Sequence, residues 1–557
     1  MHRASTNPSS TSKRQVVPRP ERIDLGNGLV MRWSTADDKD AVAECLAKSF
    51  QFENMGRHVP EGQLPGKNEY VIALTGRLMS GEHPHMSEYD FALVEDNTVL
   101  HALKPEQSPR PLVVAVTCLL LASGYFGSVD MDWGMPGAVG TLPAYRSRGL
   151  VRRLFLDLIH PAADARGDLM LFIPGIPYFY KQFGYENAVP AKSSRLLKNI
   201  ATLYPMDKKR PRFVLREATS SDIPYLIHLS QPNHLFSKAE LGTRYDQAFW
   251  KFVVETLSRK NISAHHDAHH HAAILVDSTT SKDVGISLTC MHDDAWNWKV
   301  FTLDLEDQTD DGDSAVTYRE AMASVLIQLK EFDRPYYECY SAKINNDMLP
   351  LESETTLRTR GEFPALDFTN IGIDLSPAHP VTLLLDARMQ LEPARDPYRF
   401  YTRIPSLPKF LLKIAPVLET RLKESGVWRD VSVRLQVDFY QRLEGMSGPG
   451  LEMVVERGKI VGVMDWRPKT TDQLAREALE QFNRKQAGLK EELKEGELML
   501  QAGFRPLSFT RLVTSSISVD ELLKRDTENY VGQGEARLLL DVLFPAMDEF
   551  HLDLMWS

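Results

Sequence analysis

The feature that most constrains the fold is an internal echo. Val30-Met31-Arg32-Trp33-Ser34-Thr35-Ala36-Asp37-Asp38 can be laid over Val214-Leu215-Arg216-Glu217-Ala218-Thr219-Ser220-Ser221-Asp222, with Arg, Thr and the last Asp in register. Each stretch reads as a strand leading into a capped helix. Short repeats build solenoids; two copies roughly 180 residues apart point instead to a duplicated domain. A chance match of three polar positions is the competing account. At roughly 150 residues per domain, the 557 residues of the chain leave room for two copies and a further module.

Three blocks follow from pattern. Residues 21–198 alternate a helix (Asp37–Phe50), strands (Phe91–Val94, Leu112–Leu121 and a Gly- and Pro-bounded segment, Tyr125–Thr141), a second helix (Leu150–Ala162) and a short strand (Asp168–Pro174). That order predicts an α/β (α+β) fold with helices covering a mixed sheet. Residues 211–375 repeat the theme. A Pro- and Arg-rich connector, Leu391–Pro408, sits near the start of residues 380–557, an α+β module. That module reads as a helix (Leu407–Lys423), strands at Val431–Leu443 and Leu451–Val463, a charged helical stretch (Thr471–Met499) and two more helices.

Composition excludes several classes. Hydrophobic residues are 43% and charged residues 25%, ordinary for a globular chain with ample core. A net charge of −10 provides no chain-wide basic surface, so nucleic acid is not an expected partner. No apolar run reaches the ~18 residues that span a bilayer. Cys45, Cys118, Cys290 and Cys339 are scattered without a Cys-x-x-Cys pair, which predicts free thiols in a reducing, cytoplasmic setting and no zinc site. Residues 1–20 lack acidic groups and read as a disordered tail; they lack the apolar stripe of a targeting helix.

The chemistry concentrates in Val139-Gly140-Thr141-Leu142-Pro143-Ala144-Tyr145-Arg146-Ser147-Arg148-Gly149-Leu150-Val151-Arg152. This reads as a strand end, a Pro-started turn and a basic loop entering an amphipathic helix. A helix start presents unpaired N–H groups and partial positive charge. Gly149 keeps the loop open, and Arg146, Arg148 and Arg152 add charge. Such a cradle suits a pyrophosphate; the bland account is a strand–turn–helix with solvated arginines.

Arg146-x-x-Gly149-x-Val151 resembles the acyl-CoA loop of the GCN5-related N-acetyltransferase (GNAT) superfamily. Tyr178-Phe179-Tyr180-Lys181-Gln182-Phe183-Gly184-Tyr185 resembles its Phe-Tyr-x-x-x-Gly-Phe/Tyr segment. Val151 departs from the usual Gly or Ala and would narrow the approach to the phosphates. Pro143-x-Tyr145-Arg146-x-Arg148-Gly149-Leu150-x-Arg152 is similar to the loop of the enhanced intracellular survival (Eis) branch. That branch has tandem GNAT domains followed by a sterol-carrier-like domain, which Ser508–Val513 and Ser518–Leu522 resemble.

The resemblance implies an N-acetyltransferase that moves an acetyl group from acetyl-CoA to a primary amine by direct attack, without a metal. Val139, Gly140 and Thr141 would bind pantetheine, Arg146, Ser147, Arg148, Gly149, Leu150, Val151 and Arg152 the pyrophosphate, and Gly175 and Ile176 the thioester end. Tyr180 takes the general-acid position, with Tyr178 and Tyr185 as alternatives and an aromatic core as the bland account. In the Eis branch the terminal carboxylate assists deprotonation, which would implicate Ser557. The acceptor would be a small-molecule or lysine-type amine, and a homo-oligomer is allowed. Two rivals are an inactive scaffold whose last domain binds lipid, and an acyltransferase using a longer acyl donor.

Two features point away from function. His265, His266, His269, His270 and His271 look like a low-complexity insertion. In the second copy the counterpart of the cradle, Leu303–Asp313, is acidic and would repel CoA.

Overall fold

The computed structural model describes residues 22–51, 69–102, 108–190, 195–197, 211–235, 239–257, 269–292, 295–304, 317–332, 371–376, 379–385, 399–439, 450–467, 473, 479, 498–532, 534–547 and 550. The expected tail (1–20), Cys339, His265, His266, residues 305–313 of the acidic run, most of the charged stretch 471–499 and Ser557 lie outside them.

The first block opens on a hairpin, β1 (Ile23–Gly26) and β2 (Leu29–Trp33). Asn27 and Gly28 turn it at φ 53° and 79°, the two-residue Asn-Gly geometry whose twist matches its strands. Next come α1 (Lys39–Ser49), α2 (Glu69–Leu78), β3 (Phe91–His101), β4 (Arg110–Phe126) and β5 (Val129–Thr141). β4 lacks alternation because it is buried on both faces from Val113 to Leu120. One helical rod then runs through α3 (Leu150–Arg153), a π-helical stretch (Leu154–Ile159) and α4 (His160–Arg166). Pro161 offers no N–H and crowds the carbonyl four residues back, so the ladder widens just ahead of it. β6 (Leu171–Ile173), a 3-10 turn (Phe179–Phe183) and β7 (Glu186–Pro190) close the block.

The second block holds β8 (Arg195–Leu197), β9 (Phe213–Glu217), α5 (Ile223–Leu229), β10 (Leu241–Thr243) and α6 (Gln247–Lys251), which enters another π-helical stretch (Phe252–Thr256). Then follow β11 (His269–Asp277), β12 (Lys282–His292), β13 (Ala295–Leu303), α7 (Tyr318–Phe332), β14 (Ile371–Ile373) and α8 (Pro380–Leu384). The echo extends to individual atoms. Arg32 grips Asp38 through two bonds of 2.7 and 2.9 Å, and Arg216 grips Asp222 at 2.8 and 2.9 Å. Thr35 and Thr219 each donate their N–H to that carboxylate at 2.8 Å. Asp96 accepts from Thr98 N–H and Oγ1 at 2.9 and 2.6 Å, as Asp277 does from Thr279.

The third block holds β15 (Arg399–Arg403), α9 (Leu407–Lys413), α10 (Ala415–Glu424), β16 (Val433–Phe439), β17 (Gly450–Glu456), β18 (Lys459–Asp465) and β19 (Leu498–Phe504). α11 (Pro506–Val513), α12 (Val519–Arg525), β20 (Tyr530–Val531) and α13 (Gly534–Leu543) follow. The single helix expected over Leu407–Lys423 is two, since Pro416 starts α10. The single strand expected over Leu451–Val463 is a hairpin turned by Arg457 and Gly458 at φ 48° and 72°.

Three sheets result: nine strands ordered β1-β2-β3-β4-β5-β6-β15-β7 with β10 on β4, six ordered β8-β14-β13-β12-β11-β9, and five ordered β18-β17-β16-β19-β20. The strand order cuts across the sequence blocks. β15, out of the expected connector, lies antiparallel between β6 and β7, so the whole second copy interrupts the first sheet. Arg421 of α10 ties the blocks together: it pairs with Glu240, donates to the Leu543 carbonyl, and sits 5.9 Å from the Phe126 ring centre. Among the described residues no helix is long and apolar enough to cross a membrane, and no cluster of His, Cys, Asp or Glu could hold a metal. His269, His270 and His271 open β11, where successive side chains point to opposite faces.

Candidate active site

β5 and β6 run parallel but share one register pair, Gly134 with Leu171, where Gly134 N–H reaches Met170 O at 3.0 Å. Gly134 allows the contact, since a Cβ there would lie 2.4 Å from Leu171 Cδ2. Beyond it no register pair joins the two strands, and the place between residues 138–141 and 173–176 is here called the wedge. A β-bulge sits on the β5 side: Val116 pairs with Gly140 and Cys118 with Gly137, so Ala138 and Val139 together face Thr117. Ala138 has φ 47°. A bulge takes backbone groups out of the ladder and re-aims them. α1 closes over the same place, where a Cβ on Gly140 would meet Leu46 Cδ2 at 2.9 Å and Ser49 Cβ at 3.0 Å. Thr141 Oγ1 is buried with no hydrogen-bond partner, as is Thr302 Oγ1 in the second copy.

The basic loop follows directly. Ser147 and Gly149 take positive φ (62° and 73°), and a Cβ on Gly149 would meet nothing within 4 Å. The first intrahelical bond runs from Arg153 N–H to Gly149 O at 3.1 Å, so the N–H groups of Leu150, Val151 and Arg152 precede it. Arg146 Nε donates to Thr141 O (3.2 Å), Arg148 to Ala144 O (2.9 Å) and Arg152 to Gln182 Oε1 (2.7 Å). A guanidinium carries five N–H donors, so each keeps donors for an anion. Arg148 also lies 4.6 Å from the Tyr145 ring centre, and Tyr145 Oη donates to Asp96 at 2.8 Å. Val151, half-buried, packs its side chain against the core. The loop thus offers an open glycine and three guanidinium groups with donors to spare for an anion.

The three tyrosines occupy distinct settings. Tyr185 is fully buried with its Oη 3.1 Å from His160 Nε2, and burial pushes its phenol well above the ordinary range. Burial, then Arg403, drive His160 down to about 3, so it stays neutral. Tyr178 is 78% exposed at φ 66°. Tyr180, 4% exposed, packs its ring on the Gly175 backbone: a Cβ at 175 would fall 2.1 Å from its Cε2. Tyr180 therefore lies against the segment expected to face the thioester, flanked by exposed Ile176. Cys45 and Cys118 do not offer a ready nucleophile: burial raises Cys45 to about 12 and Cys118 also well upward.

A separate groove of about 330 Å³ lies between α1 and the start of β4. Its lining includes Lys48–Glu44, His101–Glu44 and Arg110–Asp37 pairs at 2.7, 3.4 and 3.9 Å.

In the second copy the wedge is filled. Val94 pairs with Ala115 and Ala115 with Thr141; the matching ladder runs Leu275, Gly285, Leu303. Leu303 is thus the counterpart of Thr141, and Phe301 of Val139. Leu303 N–H donates to Tyr318 Oη at 3.1 Å, and Phe301 O accepts from His379 Nε2 at 2.7 Å. His379 Nδ1 accepts from Val381 N–H, which places the ring proton on Nε2. The backbone that would hold pantetheine is taken by the chain's own side chains.

Sequence reasoning missed Ala138, Tyr401, Tyr318 and His379. Gly137-Ala138 inside a strand was a usable bulge signal; the other three carried none. Ser557, the expected base, lies outside the described residues.

No curated protein matches the chain in sequence. Among solved structures, a GCN5-related N-acetyltransferase from Kribbella flavida is 14% identical, with 94% of this chain and 97% of that one covered at TM-score 0.52. A conserved protein from Enterococcus faecalis V583, described as a probable N-acyltransferase, is 11% identical with 94% and 99% covered at TM-score 0.51. Eis1 from Mycobacterium abscessus is 11% identical with 94% and 98% covered at TM-score 0.45. At such identities the first two likenesses show a shared fold. Residues 31–188 match the family model for the acetyltransferase (GNAT) domain, a span that contains the wedge, the basic loop and all three tyrosines. The chain carries a GNAT acetyltransferase domain there, and it is an N-acyltransferase.

Proposed function

We propose that the first copy binds acetyl-CoA and transfers the acetyl group to a primary amine by direct attack. The wedge carries this reading: one register pair joins β5 to β6, and beyond it stand the Ala138 bulge and the partnerless Thr141 hydroxyl. Val139, Gly140 and Thr141 hold the pantetheine arm. Arg146, Ser147, Arg148, Gly149, Leu150, Val151 and Arg152 hold the pyrophosphate, and Gly175 and Ile176 flank the thioester. The amine nitrogen attacks the carbonyl carbon, the C–S bond breaks, the departing thiolate takes a proton from Tyr180 Oη, and the phenolate recovers one from the acylated nitrogen through water. A thiol of pKa ~8.5 and a phenol of ~10 make that transfer nearly balanced. Bulge amides steady the oxyanion. A lysine-type amine of pKa ~10.4 must shed a proton first, and the Ser557 carboxylate, acting through water, is our candidate base.

We assign the acceptor to small-molecule or lysine-type amines, the setting to the cytoplasm, and the five-stranded C-terminal module to a sterol-carrier-like role. A second reading, a longer acyl donor, is favoured by Ile176 and Tyr178, which are 67% and 78% exposed at the acyl end. The deciding experiment measures thiol release from acetyl- to myristoyl-CoA with a panel of amines. Tyr180→Phe lowers turnover roughly 100-fold or more with unchanged acyl-CoA affinity; normal turnover would remove Tyr180 from the mechanism.

A further inference from the structure

Tyr401 lies 221 residues beyond Tyr180 in the chain, yet the two rings are 5.6 Å apart. Its strand, β15, is clamped on both sides, Tyr401 pairing with Ile173 of β6 and Asn187 of β7. The register shifts between Phe400 and Tyr401, and such an irregularity re-aims the side chain. Tyr401 is 2% exposed, and its Oη accepts the N–H of Tyr178 at 2.6 Å. A residue serving as packing needs no hydroxyl there, because burying one without a bond is costly. The bond falls on the residue that needs holding: Tyr178 sits at φ 66°, a conformation costly for a side chain other than glycine. Tyr178 is the N-cap of the 3-10 turn that carries Tyr180, so its backbone sets where that turn begins.

We propose that Tyr401 is a positioning residue for acyl transfer: its hydroxyl locks Tyr178 in the left-handed conformation and thereby fixes Tyr180 over Gly175. This rests on Tyr180 as the proton donor. The hydroxyl touches neither thioester nor amine; it acts through the backbone of its neighbour. Because β15 follows the second copy, the proton donor of the first copy is held by a strand the chain delivers only after completing the second.

The test compares Tyr401→Phe, Tyr180→Phe and the double variant in the full chain, with kcat and KM for acetyl-CoA and a titration of CoA affinity. Tyr401→Phe keeps the ring and removes the acceptor. The expected result is a kcat lowered roughly 10- to 100-fold, with CoA affinity and KM within about twofold and a melting temperature within a few degrees. In the Tyr180→Phe background, Tyr401→Phe costs nothing more, since both losses pass through one proton donor. Tyr401→Phe with normal kcat, beside an impaired Tyr180→Phe, overturns the inference and leaves the acid assignment standing. Losses that multiply in the double variant also overturn it, by showing a general structural role. Normal turnover in Tyr180→Phe overturns the acid assignment itself, and with it the route from Tyr401.

Discussion

Replacing Gly175 with alanine displaces the proposed acid without touching its chemistry. The added Cβ would stand 2.1 Å from Tyr180 Cε2 and 2.9 Å from Cζ, whereas carbon–carbon contact is comfortable only from about 3.5 Å. The ring must therefore retreat by more than ~1 Å. It has nowhere easy to go, being boxed by Phe155, Phe179, Phe183, Tyr185 and Tyr401 with ring centres 5.1 to 6.4 Å away. Forcing an extra carbon into such a cluster costs about 1–3 kcal/mol of stability. A displacement near 1 Å at a reacting group costs on the order of 100-fold in rate. The phosphate cradle starts at Arg146 on a separate loop, so affinity for CoA itself, which lacks the acyl group that Gly175 flanks, should change less than about threefold, well under 1.4 kcal/mol. Thiol release at saturating acetyl-CoA and amine, calorimetric CoA titration and denaturant unfolding separate the three quantities. Wild-type turnover in a folded Gly175→Ala protein would refute the reasoning, because the ring's position over residue 175 would then be irrelevant to transfer.

The loop and the buried histidine give two further tests. Gly149→Asp and Gly149→Ala both pay about 1–2 kcal/mol for the left-handed backbone, yet the aspartate alone brings a carboxylate toward the phosphates. At ~4 Å and an effective dielectric near 20, each like-charge pair costs about 4 kcal/mol. CoA affinity should therefore fall 100-fold or more for the aspartate and only a fewfold for the alanine; equal affinities would count against the cradle. His160, neutral in the fold with a pKa near 3, takes a proton more readily when unfolded, at about 6.5. Its contribution to stability is complete above pH ~6.5 and declines as pH falls toward 3, by about 2 kcal/mol at pH 5. Urea unfolding at pH 7.5 and 5 should show that loss in the wild type and not in His160→Phe; equal slopes would rule out His160 as the source.

The fold was legible where local chemistry repeats. Arg32-Thr35-Asp38 and Arg216-Thr219-Asp222 are short-range devices, a salt bridge closed over a capping box, so three matching letters sufficed to reveal the duplication. The basic loop was legible for the same reason: Arg146, Arg148, Gly149 and Arg152 lie within one turn and its helix start. Whatever depends on distant pairing was not. β15 has five residues in a Pro- and Arg-rich stretch that resembles linker, and its partners, β6 and β7, lie more than 200 residues earlier. No periodicity in Arg399–Arg403 announces a central strand, because such a strand is buried on both faces and loses its alternation. Choosing among Tyr178, Tyr180 and Tyr185 likewise needed burial. One is solvent-facing, one is sealed against His160, and one lies on Gly175.

The two copies diverge at a single physical problem, the backbone groups that splayed strands leave without a ladder. A buried peptide group must find a partner, and leaving one unpaired costs about 1–3 kcal/mol. The second copy solves this within the chain: Tyr318 answers Leu303 N–H and His379 answers Phe301 O, with the His379 tautomer fixed by Val381. That solution needs no ligand, and it occupies backbone positions that pantetheine would need. Under the proposed function the first copy leaves that to its ligand. Its bulge at Ala138 turns backbone out of the ladder, and Arg146 and Arg148 follow on the next loop with N–H donors to spare for an anion. Tyr318 and His379, 61 residues apart in the chain, hold the strand end of the second copy; at the matching positions of the first copy, Thr141 and Val139, the described residues place no such bond.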